Sequence, residues 1–147
     1  MKLLVITQKV DIDDDVLGFF HAWLLEFAKN CERLTVICLQ KGRYNLPENV
    51  KVLSLGKEAR KNFQFPTLRV VARRVTISNF QSISNFKIFK KIKYLFNFIK
   101  YIVTERKNYD AVFVHMNKEY VVLGGLIWRL LDKKIGLWYL HKRVDAK

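Results

Sequence analysis

The sequence is poor in the residues that punctuate or staple a chain. It has two prolines, six glycines and two cysteines among 147 residues. Two cysteines, Cys31 and Cys38, set in apolar surroundings, exclude a disulfide scaffold and read as buried thiols of a reducing compartment. No stretch reaches the roughly 18 uncharged apolar residues that a spanning helix needs. The longest, Val16 to Leu25, is stopped by Glu26. The apolar run after Met1-Lys2, Leu3 to Ile6, is too short for a signal-peptide core. The expected location is therefore cytoplasmic. Internal repeats and low-complexity tracts are also missing.

Acidic residues are scarce too, 13 against 27 Lys and Arg, which gives a formal charge of +14. The excess is local. Residues 1–56 carry seven basic and seven acidic side chains, whereas residues 57–107 carry thirteen basic residues and only Glu58 and Glu105. Such a block attracts polyanions, whether phospholipid head groups or nucleic acid, although most charge runs are simply solvated faces.

Half of the residues are hydrophobic. That content excludes disorder for most of the chain, and the length suits one domain able to bury roughly two-thirds of its unfolded surface. The patterning predicts strands at Lys2–Thr7, Arg33–Gln40, Lys51–Leu55, Tyr109–His115 and Lys134–His141. It predicts helices at Val16–Asn30, capped by Asp15, at Phe86–Lys107 and at Lys118–Lys133. In the second helix, Ile88, Ile92, Leu95, Ile99 and Ile102 form the expected core stripe. Residues 57–86, with Pro66 and Arg69, Arg73 and Arg74, read as a basic loop or mobile insertion holding at most a short helix.

Strands alternating with helices imply a single α/β domain. Its expected form is a Rossmann-like, mainly parallel sheet of about five strands with helices on both faces. Ligands of such sheets bind beyond the carboxyl ends of the strands. Three loops fall there: Thr7–Asp15, His115–Glu119 and His141–Arg143.

Those loops exclude several chemistries. The first has no glycine before Gly18, so neither a dinucleotide fingerprint nor a Walker A loop is present. A phospho-receiver needs an aspartate ending the third strand, where this chain has Leu55-Gly56. His21, His115 and His141 stand without a Cys-x-x-Cys pair, so no metal site is expected. His21 reads as structural from its place on the first helix. His115 and His141, at strand ends facing one crevice, read equally well as structural or functional. The aspartates of the first loop read as a cap for the helix that follows rather than as a cation site.

The segments LLVITQKVDIDDDVLGFFHAWLLEFAKNCERLTVICL and YDAVFVHMNKEYVVLGGLIWRLLDKKIGLWYLHK, in that order, resemble the N-terminal half of a bacterial family 4 glycosyltransferase of the GT-B fold. The likeness spans residues 1–56 and 94–143, and Lys118 stands where the family pattern usually has proline. The resemblance implies a retaining transferase of two Rossmann-like domains, of which this chain supplies the acceptor side. It implies that Gln8, Lys9, Gly18 and His21 line the acceptor and that His115 is catalytic, facing the transferred sugar. Asn117, Glu119 and His141 would border the same cleft.

The family's donor site, with its paired glutamates, has no counterpart here. No cofactor is therefore expected in this chain, and a nucleotide-sugar donor belongs to the complete enzyme. The chain reads as a fragment, a truncated product or one half of a two-chain enzyme, inactive alone and partnered by a C-terminal donor-binding domain or chain. An uncovered strand edge would also permit a homodimer.

The basic helix suits a lipid-linked acceptor. A wheel of Phe86–Lys107 sets Tyr94, Phe98 and Tyr101 beside the core stripe, interleaved with Lys87 and Lys91, as an interfacial surface for anionic membrane. The competing account packs these rings beneath residues 57–86. The alternative function is a non-catalytic basic module for membrane or RNA, although nucleic acid ranks lower for want of a recognised module.

Overall fold

A computed structural model describes residues 1–58 and 79–139, with residues 79–88 described by their backbone alone. Eight elements follow in order: β1 (Lys2–Val10), α1 (Phe19–Asn30), β2 (Arg33–Lys41), β3 (Val50–Ser54), α2 (Asn79–Thr104), β4 (Ala111–His115), α3 (Lys118–Leu130) and β5 (Lys134–Trp138). The strands form one sheet in the order β3-β2-β1-β4-β5. Every pairing is parallel. The chain is thus an α/β protein with a Rossmann-like sheet.

Parallel strands covered on both sides have to be apolar on both sides. Leu3, Val5, Leu34, Val36 and Cys38 pack against Phe20 and Leu24 of α1. Leu4, Ile6, Ile37, Val112 and Val114 face the opposite way, against Phe98 and Ile102 of α2 and Trp128 of α3. Both cysteines are buried and free, and burial pushes the Cys38 thiol up to about 12. In α3, Gly124 lies under the Trp128 indole, and a β-carbon there would fall 2.6 Å from the ring.

Several boundaries differ from expectation. β1 runs on to Val10, because Val10 is buried and Lys9 is neutralised by neighbouring carboxylates. α1 starts at Phe19 rather than Val16, whose side chain is 75 % exposed. Asp15 does not cap the helix: Gly18 holds the N-cap position with no side-chain bond, and Asp14 instead closes the preceding turn. Its Oδ1 accepts the N–H groups of Val16 (3.0 Å) and Leu17 (2.6 Å) in the turn before the helix. α2 begins at Asn79, seven residues before the expected start, so part of the anticipated loop is helical.

The rotation of α2 about its axis is the main correction. Phe98 and Ile102 are fully buried, and Tyr94, Tyr101 and Ile99 pack against the same core. Of the expected stripe, Ile99 and Ile102 lie inside as anticipated, Ile92 and Leu95 are exposed, and the side chain of Ile88 lies outside the described residues. Tyr94, Phe98 and Tyr101 therefore form the sheet-facing side and not an interfacial surface. Polar anchors account for this. The Tyr101 hydroxyl donates to the Ser54 carbonyl (3.2 Å), and the Asn97 amide donates to the Leu55 carbonyl (3.1 Å). One turn later, Glu105 is buried and accepts from Lys51 (2.7 Å) and Asn108 (2.7 Å). A purely apolar face would leave the carbonyls at the end of β3 without these donors. Lys91 is exposed, and the side chain of Lys87 lies outside the described residues.

Candidate functional site

The chain reverses its winding direction between β1 and β4. From β1 it proceeds outward to β2 and β3, then returns to place β4 on the other side of β1. In open parallel sheets the crevice at such a reversal, beyond the carboxyl ends of the strands, is where ligands bind. Two side chains close that point. Thr7 of β1 and His115, the last residue of β4, are both fully buried, and the Thr7 hydroxyl lies 3.2 Å from His115 Nδ1.

Aromatic rings enclose the imidazole. Phe20 stacks on it at 3.9 Å between centroids and an interplanar angle of 10°, and Trp138 lies nearly parallel at 5.2 Å. Phe19 and Trp23 each stand 6.1 Å away. Burial pushes the His115 pKa down to about 4, so the ring is neutral at pH 7. Its Nε2 is buried and has no hydrogen-bond partner among the described residues. An unmade hydrogen bond at a buried polar atom costs about 1–3 kcal/mol. The tautomer decides what Nε2 offers: a donor if the Thr7 hydroxyl donates to Nδ1, an acceptor if Nδ1 carries the proton. In either form it suits a neutral hydroxyl.

The backbone next to His115 is strained. Met116 has φ of 57°, a left-handed conformation unusual for a residue with a side chain. It is held by its N–H donating to the Trp138 carbonyl at 2.8 Å. That turn delivers Asn117, buried at the N-cap position of α3, where its side chain makes no capping bond. Glu119 follows in the first turn of α3 and is exposed, placed favourably for the helix dipole.

Two of the other anticipated residues, Lys9 and His21, are committed elsewhere. Lys9 is clamped by Asp14 (2.6 Å) and Asp11 (3.0 Å), and its hydrogen bonds to Asp14 and then Asp11 raise its pKa. The same contact, with the Leu17 and Val16 amides, holds the Asp14 carboxyl at about 2. The aspartate-rich loop thus forms an internal ion-pair cluster, which Asp13 extends to Arg43. The open depression beside it, lined by Asp11, Gln40, Gly42, Arg43 and Glu58, is bounded by these paired charges. His21 is buried, and its Nε2 accepts the Asn45 N–H at 3.1 Å, which ties α1 to the β2–β3 connection instead of offering a contact to an acceptor. Gln8 is exposed on β1, and His141 lies outside the described residues.

Gly18, at the N-cap of α1, has a packing reason for its identity. A β-carbon there would lie 2.5 Å from the Asp14 carbonyl oxygen, which belongs to backbone and cannot swing aside. Its φ of −57° is open to any residue, so the constraint is one of space. Gly18→Ala is expected to destabilise the fold by about 1–3 kcal/mol, as overpacking does. Urea denaturation checks this, and an unchanged midpoint would return Gly18 to the list of ligand-facing residues.

The assembled site is therefore Thr7 and His115 at the β1/β4 reversal, enclosed by Phe20, Trp23 and Trp138, with Asn117 two residues on at the start of α3. From sequence, Thr7 falls at the start of the first candidate loop, but neither its contact with His115 nor the rings could be anticipated. The pairing of β1 with β4, the pairing of β4 with β5 and the packing of α1 bring them to His115. No protein-family model matches this chain, and no curated protein matches it.

Proposed function

We propose that this chain is the acceptor-side half of a GT-B glycosyltransferase, in which a complete enzyme transfers a sugar from a nucleotide-sugar to a saccharide or lipid-linked acceptor. The observation that carries the reading is His115: a neutral, buried imidazole at the β1/β4 reversal whose Nε2 lacks a partner. A sugar hydroxyl would supply the missing hydrogen bond. Phe19, Trp23 and Trp138, which keep some exposure, would meet the apolar C–H faces of a pyranose, and among the described residues only burial, and no charged group, shifts the imidazole, which fits a neutral ligand. Asn117, with its side chain unused as a cap, adds a second polar group beside His115.

The test uses the full chain and octyl glucoside, below its micelle concentration, as an acceptor analogue. Titration is expected to shift the His115 ring resonances, and His115→Phe is expected to abolish binding while melting as a folded protein. With a donor-binding domain of the same fold supplied in trans, sugar transfer from nucleotide-sugars is expected to fall at least about tenfold in His115→Phe, the loss of one charge-neutral contact made in a dry site. Unmoved His115 resonances, together with salt-sensitive capture of the chain by RNA, would overturn the reading in favour of a non-catalytic basic module.

A further inference from the structure

Helix α2 has a second apolar face. Phe89, Ile92, Phe96 and Val103 recur at spacings of three, four and seven residues, one column on a helix, and all are exposed, Phe89 by 74 % and Phe96 by 68 %. This column lies on the far side of the helix from Phe98 and Tyr101. On the same face of the sheet, α3 adds Val122, Leu126 and Leu130, exposed by 69 % or more. Isolated exposed apolar residues need no explanation, but two neighbouring helices that both present such columns outward do.

Charge indicates what covers this face. The α2 segment 79–104 contains five lysines and no acidic residue. Lys93 and Lys100 each follow a phenylalanine of the column by four residues, which places them along its border, and both are exposed. An apolar column bordered by lysines is the pattern of a helix that lies in a membrane interface, with rings and aliphatic chains in the acyl boundary and ammonium groups at anionic head groups. A second copy of the chain fits less well, because a two-fold contact across this face would oppose lysine to lysine. RNA fits less well too. Most of the exposed apolar side chains are aliphatic and offer bases nothing to stack on. Among the described residues, no helix is long and apolar enough to cross a membrane, so such a contact would be peripheral.

We infer that the outer face of α2 and α3 is a docking surface for anionic lipid bilayers. It is a different face from the one suggested by Tyr94, Phe98 and Tyr101, and it stands apart from the question of sugar transfer. Because it lies opposite the core, it can be altered without disturbing the fold.

The test is co-sedimentation of the full chain with phosphatidylcholine vesicles containing 30 % phosphatidylglycerol, against pure phosphatidylcholine, in rising salt and with competing RNA. Binding is expected to the anionic vesicles only, to weaken with salt and to survive RNA. Phe89→Ser/Phe96→Ser and Lys93→Glu/Lys100→Glu are each expected to lower partitioning at least roughly tenfold while thermal melts stay unchanged. The inference is overturned by partitioning that is insensitive to both variants, by capture on RNA, or by light scattering that shows a dimer dissolved by Phe89→Ser/Phe96→Ser.

Discussion

Phe98→Ala is expected to cost the fold about 3–5 kcal/mol, the range for truncating a fully buried phenylalanine, while Phe96→Ala, two residues away, changes stability by less than about 0.5 kcal/mol. Phe98 is completely buried, with Tyr120 at 4.8 Å and Trp128 at 6.1 Å between ring centroids. Its removal would open a cavity beneath both helices of that face. Phe96 is mostly solvated, and alanine's better helix propensity there offsets what little contact is lost. Paired urea curves measure the contrast. Equal losses at the two positions would mean that α2 is rotated differently from the arrangement described, and would remove the basis for a membrane-facing column containing Phe96.

Acidification from pH 7.5 to 4.5 is expected to remove about 2–3 kcal/mol of stability through His115 alone. The imidazole has an ordinary pKa near 6.5 in the unfolded chain and about 4 in the fold. Between these values the unfolded chain binds a proton that the folded chain excludes, so stability rises with pH across the window and is lost as pH falls through it. At pH 7.5 the two states are protonated alike and the cost vanishes. The carboxylates act lower down. Asp11 and Asp14 are held below the ordinary 3.8 and Glu105 below 4.5, so their contributions persist until pH falls beneath those values. Denaturation midpoints at pH 7.5, 6.0 and 4.5 give the slope, and the comparison with His115→Phe separates the histidine from glutamates such as Glu105, whose contribution starts to fall near 4.5. In His115→Phe the slope over this range should flatten. A slope equal to that of the unaltered chain would assign the proton to another group and leave His115 without its dry, neutral environment.

The fold class was legible because strands and helices alternate without ambiguity and each apolar run is short. Strand positions were readable to within a few residues. β1 was underestimated because Gln8-Lys9 looks like a loop, and the ion pairs that let Lys9 remain in a strand come from Asp11 and Asp14 folding back on it. The orientation of α2 was not legible, for a physical reason. Apolar residues surround much of the helix, and the aliphatic stripe that joins Ile99 and Ile102 to Ile92 and Leu95 reads as the core, although only the first two lie inside. The sheet instead selects the column whose Tyr101 and Asn97 can reach the Ser54 and Leu55 carbonyls, a choice made by partners distant in sequence. His115 stood out as a histidine ending a strand. Its partner Thr7, and the Phe20 and Trp138 rings that bury it, could not be read without knowing that β4 lies between β1 and β5 with α1 packed across their ends.

The central position of β1 also bears on how the chain reaches its fold. Thr7 and His115 stand 108 positions apart in sequence, yet they sit side by side. During synthesis β1 can pair early with β2, but its other edge stays open until β4 emerges. Throughout that interval the nascent chain exposes an unpaired apolar strand, the species most prone to wrong association. Closing so long a loop makes the β1–β4 pairing a late and slow event. The buried Thr7–His115 contact would then be among the last features to form, and a chain halted before β4 would carry a sheet without it.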